Sequence, residues 1–97
     1  MKETPNVQTT IPRGTKGDFA TFADLIRDSL DWPPEGGFKP SQMRARARVD
    51  AALVDVKAGG VIKLEDADYA TVKEALGACP WRIRSPDLIQ LLELFGL

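Results

Sequence analysis

Arg44, Arg46 and Arg48 are the residues whose type and spacing most directly offer chemistry. Three guanidinium groups near the start of a helix could contact phosphates or guanine edges in a major groove. Alternate positions do not share a helix face, however: Arg44 and Arg48 lie together and Arg46 points nearly opposite. Asp50 and Asp55 follow on the same helix, and a formal net charge of −1 leaves little of the long-range attraction that dominates nucleic-acid affinity. A helix-turn-helix would need residues 21–30 to lead and residues 41–57 to read the groove. The segment between them holds Pro33, Pro34, Gly36, Gly37 and Pro40 and is longer than that motif's usual turn. A nucleic-acid-binding regulator using Arg44, Arg46 and Arg48 is therefore the second reading.

Catalytic chemistry has fewer residues to draw on. The chain has no histidine, the commonest general base and transition-metal ligand. Cys79 is the single cysteine, which excludes an intrachain disulfide and leaves a nucleophile without an imidazole to activate it. Glu65, Asp66 and Asp68 could hold a hard cation, but they lack the full calcium-loop spacing, and helix capping accounts for Asp66 and Asp68. Gly59-Gly60 lacks the lysine and hydroxyl residue of a phosphate-binding loop. The expectation is a protein that is not an enzyme and carries no cofactor or metal.

The elements that would position these residues are marked by their own punctuation. Phe22, Leu25, Ile26 and Leu30 recur at helical spacing, which predicts a helix over residues 19–31 that Trp32-Pro33-Pro34 ends. Trp32 and Phe38 flank the turn that follows and are expected to fold back on the core. A long helix is expected over residues 41–57 with Ser41 as its N-cap. Val61, Ile62 and Leu64 predict a strand over 61–64, and Asp66 then caps a helix over 67–77. Trp81-Arg82-Ile83-Arg84 reads as a second strand, with room for a right-handed crossover and parallel pairing between the two. Ser85-Pro86-Asp87 opens a final helix over 86–95, apolar on nearly every side and so expected to be mostly buried. Residues 1–17, with few large apolar side chains and with Arg13 and Lys16 as later charges, read as a flexible tail before one domain over 18–97.

The long helix carries two apolar stripes. Ala45, Val49, Ala52, Leu53 and Val56 form one, and Met43, Ala47, Ala51 and Val54 form the other. Such a helix either runs between layers of its own domain or offers one stripe to another chain. Arg46 and Asp50 sit at the i,i+4 spacing of a salt bridge. In the extended stretch, Trp81 and Ile83 fall on one face and Arg82 and Arg84 on the other. Tryptophan and arginine are frequent interface anchors. Met43, Ala47, Ala51, Val54, Trp81, Arg82 and Arg84 are thus the candidate protein interface.

Composition bounds these readings. Ninety-seven residues suit one modest core, and 43% hydrophobic with 28% charged residues is ordinary for a soluble globular domain. No stretch is apolar for the roughly 18 residues of a membrane span, so no membrane association is expected. The order Phe22-Ala23-Asp24-Leu25-Ile26, Pro33-Pro34-Glu35-Gly36-Gly37-Phe38, Met43-Arg44, Leu64-Glu65-Asp66-Ala67-Asp68-Tyr69 and Trp81 resembles small accessory proteins of tailed bacteriophages. That resemblance implies synthesis in a bacterial host's cytoplasm and a role in the virion or on a host protein. It transfers no functional residue. The expected product is a mainly helical α+β domain that binds a protein, either another copy or a host protein.

Overall fold

The computed structural model describes residues 1–14 and 17–97, and in it the expected N-terminal tail is strand. Strand β1 (Lys2–Pro5) pairs antiparallel with β4 (Val61–Leu64), and β2 (Gln8–Arg13) pairs antiparallel with β3 (Asp18–Thr21). The tail expectation is corrected for residues 2–13; Lys16, counted among its charges, lies outside the described residues. What holds a strand with no large apolar side chain is polar burial. Thr4 is buried in β1, and Asn6, just beyond it, is 0% exposed.

Asn6 satisfies three pieces of chain at once. Its side-chain Nδ2 donates to the carbonyls of Val56 (3.3 Å) and Lys57 (3.0 Å), and its Oδ1 accepts from the Ala23 N–H (2.8 Å). Its backbone N–H donates to Gly60 O and its carbonyl accepts from the Gly59 N–H. Gly59 takes φ +84, the left-handed region that a side chain would resist, so the glycine permits this turn. The β2–β3 ladder breaks between Gln8 and Pro12, where proline has no N–H to give. The Thr9 hydroxyl bridges the break, donating to Ala20 O (2.6 Å) and accepting from the Ile11 N–H (3.1 Å).

Helix α1 (Phe22–Asp31) starts later than expected because Thr21 and Asp24 cap it reciprocally. The Asp24 N–H donates to Thr21 Oγ1 and the Thr21 N–H donates to Asp24 Oδ2. The preceding residues are thereby released to form β3. Helix α2 (Pro40–Leu53) is capped by Lys39 rather than Ser41, with Pro40 in its first turn and the Gln42 side chain accepting from the Lys39 N–H. It stops four residues short of the expected end, where the carbonyls of Val56 and Lys57 turn to Asn6.

Helix α3 (Asp66–Ala78) has Glu65, not Asp66, at its N-cap. The last helix, α4 (Pro86–Leu94), begins as read: Ser85 Oγ accepts from the Asp87 N–H and Pro86 occupies the first turn. Its burial is less complete than expected, since Leu88 and Leu91 face the core while Ile89 and Leu94 are exposed. Asp87 Oδ2 also accepts from the Thr10 N–H and hydroxyl, which ties α4 to β2.

Residues 81–84 form no strand, and β4 finds its partner in β1, so the parallel crossover is replaced by a non-local antiparallel pair. The result is an α+β fold with four helices and two small antiparallel sheets among the described residues. Phe22, Ile26, Val49, Leu53, Ile62, Leu64, Val72, Leu76, Leu91 and Phe95 make one continuous core between helices and sheets. Tyr69 stacks on Phe95 at 4.8 Å between centroids and closes its C-terminal side. No helix among the described residues is long and apolar enough to cross a membrane.

Candidate docking surface

Helix α2 packs against α1, α3 and β4 through the first of its two apolar stripes, of which Ala52 alone stays exposed. Val49 and Leu53 are buried and Val56 packs against the core. The other stripe is left outside. Met43 is 54% exposed and Val54 is 55% exposed, with Ala47 and Ala51 exposed between them. Of the two roles open to such a helix, the central core position is thereby removed.

Each arginine of α2 has a different environment. Arg46 is 7% exposed and runs under the end of α1, where Nη1 donates to the carbonyls of Ser29 (3.4 Å), Leu30 (3.0 Å) and Trp32 (3.1 Å). These are carbonyls at and just past the C-terminus of α1, where among the described residues only Ser29 O has a backbone donor as well, the Trp32 N–H, and a positive charge there also meets the negative end of the helix dipole. The guanidinium lies 5.2 Å from the centre of the Phe38 ring. The expected Arg46–Asp50 pair does not form. Asp50 accepts instead from Arg27 Nε of α1 at 2.8 Å.

Arg48 Nε donates to Asp68 Oδ1 at 2.8 Å, joining α2 to the first turn of α3. Asp68, a candidate cation ligand by sequence, is thus buried beside a guanidinium. Arg44 is exposed and has no ion-pair partner among the described residues. Of the three candidate nucleic-acid contacts, one is enclosed and one is paired, which leaves Arg44.

Beside the exposed stripe lies a cleft of about 300 Å³ lined by Leu30, Asp31, Phe38, Met43, Arg46, Ala47 and Asp50. The α1–α2 connection makes its far wall. Neither aromatic makes the expected return to the core: Phe38 is half-buried against Arg46, and Trp32 is 42% exposed. Leu30, Asp31 and Phe38 were not among the candidate residues. The signal that could have found them is the Gly36-Gly37-Phe38 turn, which must bring an aromatic back alongside the helix that follows.

Trp81, Arg82 and Arg84 are placed apart from this constellation. The Trp81 indole Nε1 donates to Leu76 O at 3.2 Å and its ring packs against the core, fastening the segment to the end of α3. Arg82, Ile83 and Arg84 are all exposed, so the alternation expected of a strand is absent and Ile83 faces out with its neighbours. At Cys79, burial above all, with the Asp28 carboxylate adding to it, pushes the thiol pKa up from its ordinary value. The group therefore stays protonated, and weakly nucleophilic, at neutral pH. No family model, curated protein or solved structure matches this chain.

Proposed function

We propose that this chain is a non-enzymatic protein-binding module whose docking surface is the outer stripe of α2 together with the adjoining Phe38 cleft. The observation that carries this reading is the exposure of Met43, Ala47, Ala51 and Val54 on a helix whose other apolar stripe already fills the core. An apolar row kept outside an otherwise complete core exposes surface that a partner can remove from water. The resemblance to phage accessory proteins supports synthesis in a bacterial host's cytoplasm and two settings for the partner, the virion or a host target.

The nucleic-acid alternative draws less support from the arrangement of the arginines. Arg46 already donates to carbonyls of its own domain and Arg48 already pairs with Asp68. A photo-crosslinking amino acid placed at Ala51, in chain expressed in bacteria, tests the protein-binding reading. The expected result is a discrete crosslinked protein species that disappears when Val54→Glu is added and does not form from the same probe at Gln90 on α4. No species at Ala51, or equal species from both positions, overturns it.

A further inference from the structure

We infer that the occupant of the α2 stripe is a second copy of this chain, packed antiparallel about a two-fold axis that passes between Ala47 and Ala51, at the height of Val49 along the helix. This rests on the protein-binding reading above and names its partner. At 100° per residue, Met43, Ala47, Ala51 and the helical C-cap Val54 lie within about 80° of one another; Arg44 borders them on one flank, and Asp55 follows in the turn that the Val56 N–H closes on Leu53 O. The row is close to symmetric in side-chain size. Large Met43 and Val54 stand at its ends, about 16 Å apart along the axis, and small Ala47 and Ala51 stand between them. The midpoints of Met43/Val54, Ala47/Ala51 and Arg44/Asp55 all fall within about half a residue of Val49.

A two-fold interface requires a surface complementary to itself when reversed, and this row meets that requirement in shape and charge. Reversed on a second copy, it sets Met43 against Val54 and Ala47 against Ala51, so that alanines meet where the helices come closest. The same operation brings Arg44 of each copy opposite Asp55 of the other. Both are exposed, and neither has an ion-pair partner among the described residues. Val54 of the second copy arrives beside Met43, at the mouth of the cleft that Leu30, Phe38 and Ala47 line. A parallel arrangement would carry the Arg44 and Asp55 flanks of the two copies to opposite sides of the interface and set the two helix dipoles side by side in the same sense, so charge selects the antiparallel one.

One helix face makes a small interface, and the dimer should accordingly be weak. Light scattering on the purified chain from about 10 µM to about 1 mM, at low and high salt, reads it directly. The expected result is a mass that rises from one chain toward two with concentration, less steeply at high salt. Arg44→Asp and Asp55→Arg each place like charges opposite one another twice and should weaken dimerisation roughly tenfold. The double substitution restores both pairs and should recover the wild-type curve, while Val54→Glu should abolish association with the circular dichroism spectrum unchanged.

A single-chain mass throughout overturns the second copy as occupant. The Ala51 crosslink then separates the two failures: a species of different mass keeps the docking surface and loses only the self-partner, and no species ends both readings. A dimer indifferent to Val54→Glu and to both charge reversals also overturns the proposal.

Discussion

The two long sides of α2 are built from similar residues and meet opposite surroundings. Both sides carry an apolar row and both carry arginine. On the inner side, Val49 and Leu53 are buried and Arg46 donates to the end of α1. On the outer side, Met43, Ala47, Ala51 and Val54 face solvent, and Arg44 has no ion-pair partner among the described residues. What distinguishes them is the neighbour that tertiary structure brings. The inner row meets α1, α3 and β4. A substitution on the inner side is therefore expected to be read in stability, and one on the outer side in association.

Leu53→Ala should show the largest effect, because it opens a cavity where α2 meets the core. A loss of about 3 to 4 kcal/mol in urea unfolding is expected, in the range of buried leucine truncations. A loss below about 1 kcal/mol would mean that the inner row is not the core contact. Asn6→Ala comes next, at about 3 kcal/mol. It leaves the buried Ala23 N–H and the part-buried Val56 and Lys57 carbonyls without their partner. Hydrogen exchange should show residues 54–60 opening with β1 in that variant, since one side chain holds both.

Arg46→Met sharpens the contrast, since methionine retains much of the apolar volume but cannot donate. About 2 kcal/mol should be lost as the Leu30 and Trp32 carbonyls lose a charged donor. Arg44→Met, two residues away, should change stability by less than about 0.5 kcal/mol. Equal losses from the two substitutions would erase the distinction between the faces.

These same residues mark where the sequence is legible. Helical periodicity and stop signals place the four helices within a few residues, because Pro33-Pro34, Pro80 and Ser85-Pro86 act locally on the backbone. The two stripes of α2 are equally visible, being a property of one helix. Which stripe turns inward is not, because that depends on neighbours. Arg46 and Asp50 stand at the right spacing to pair, yet each finds a partner on α1 instead. The N-terminal strands were hidden for a related reason. Lys2–Pro5 pairs with Val61–Leu64 across some sixty residues of chain, and it is anchored through Thr4 and Asn6 rather than through the large apolar side chains that announce a strand. Composition made that segment look like a tail; hydrogen bonds to distant backbone made it structure.

Val54→Glu carries the smallest expected effect on the fold and the largest on the proposed interaction. Val54 ends α2 in helical geometry, its N–H donating to Asp50 O, and glutamate can adopt the same backbone. With 55% of the residue already exposed, the carboxylate can stay hydrated, and stability should move by less than about 0.5 kcal/mol. The thermal midpoint should then shift by no more than about 4 °C. Association behaves differently. Packed against a second α2, the same carboxylate would lose its water against Met43 and Ala47 of the other copy, whose nearest cation, Arg44, is already matched by Asp55. A variant that melts like wild type and no longer self-associates would show that stability and binding are divided between the two sides of one helix. A variant that unfolds would place Val54 with the inner row, and the outer face would lose its claim to be a separate surface.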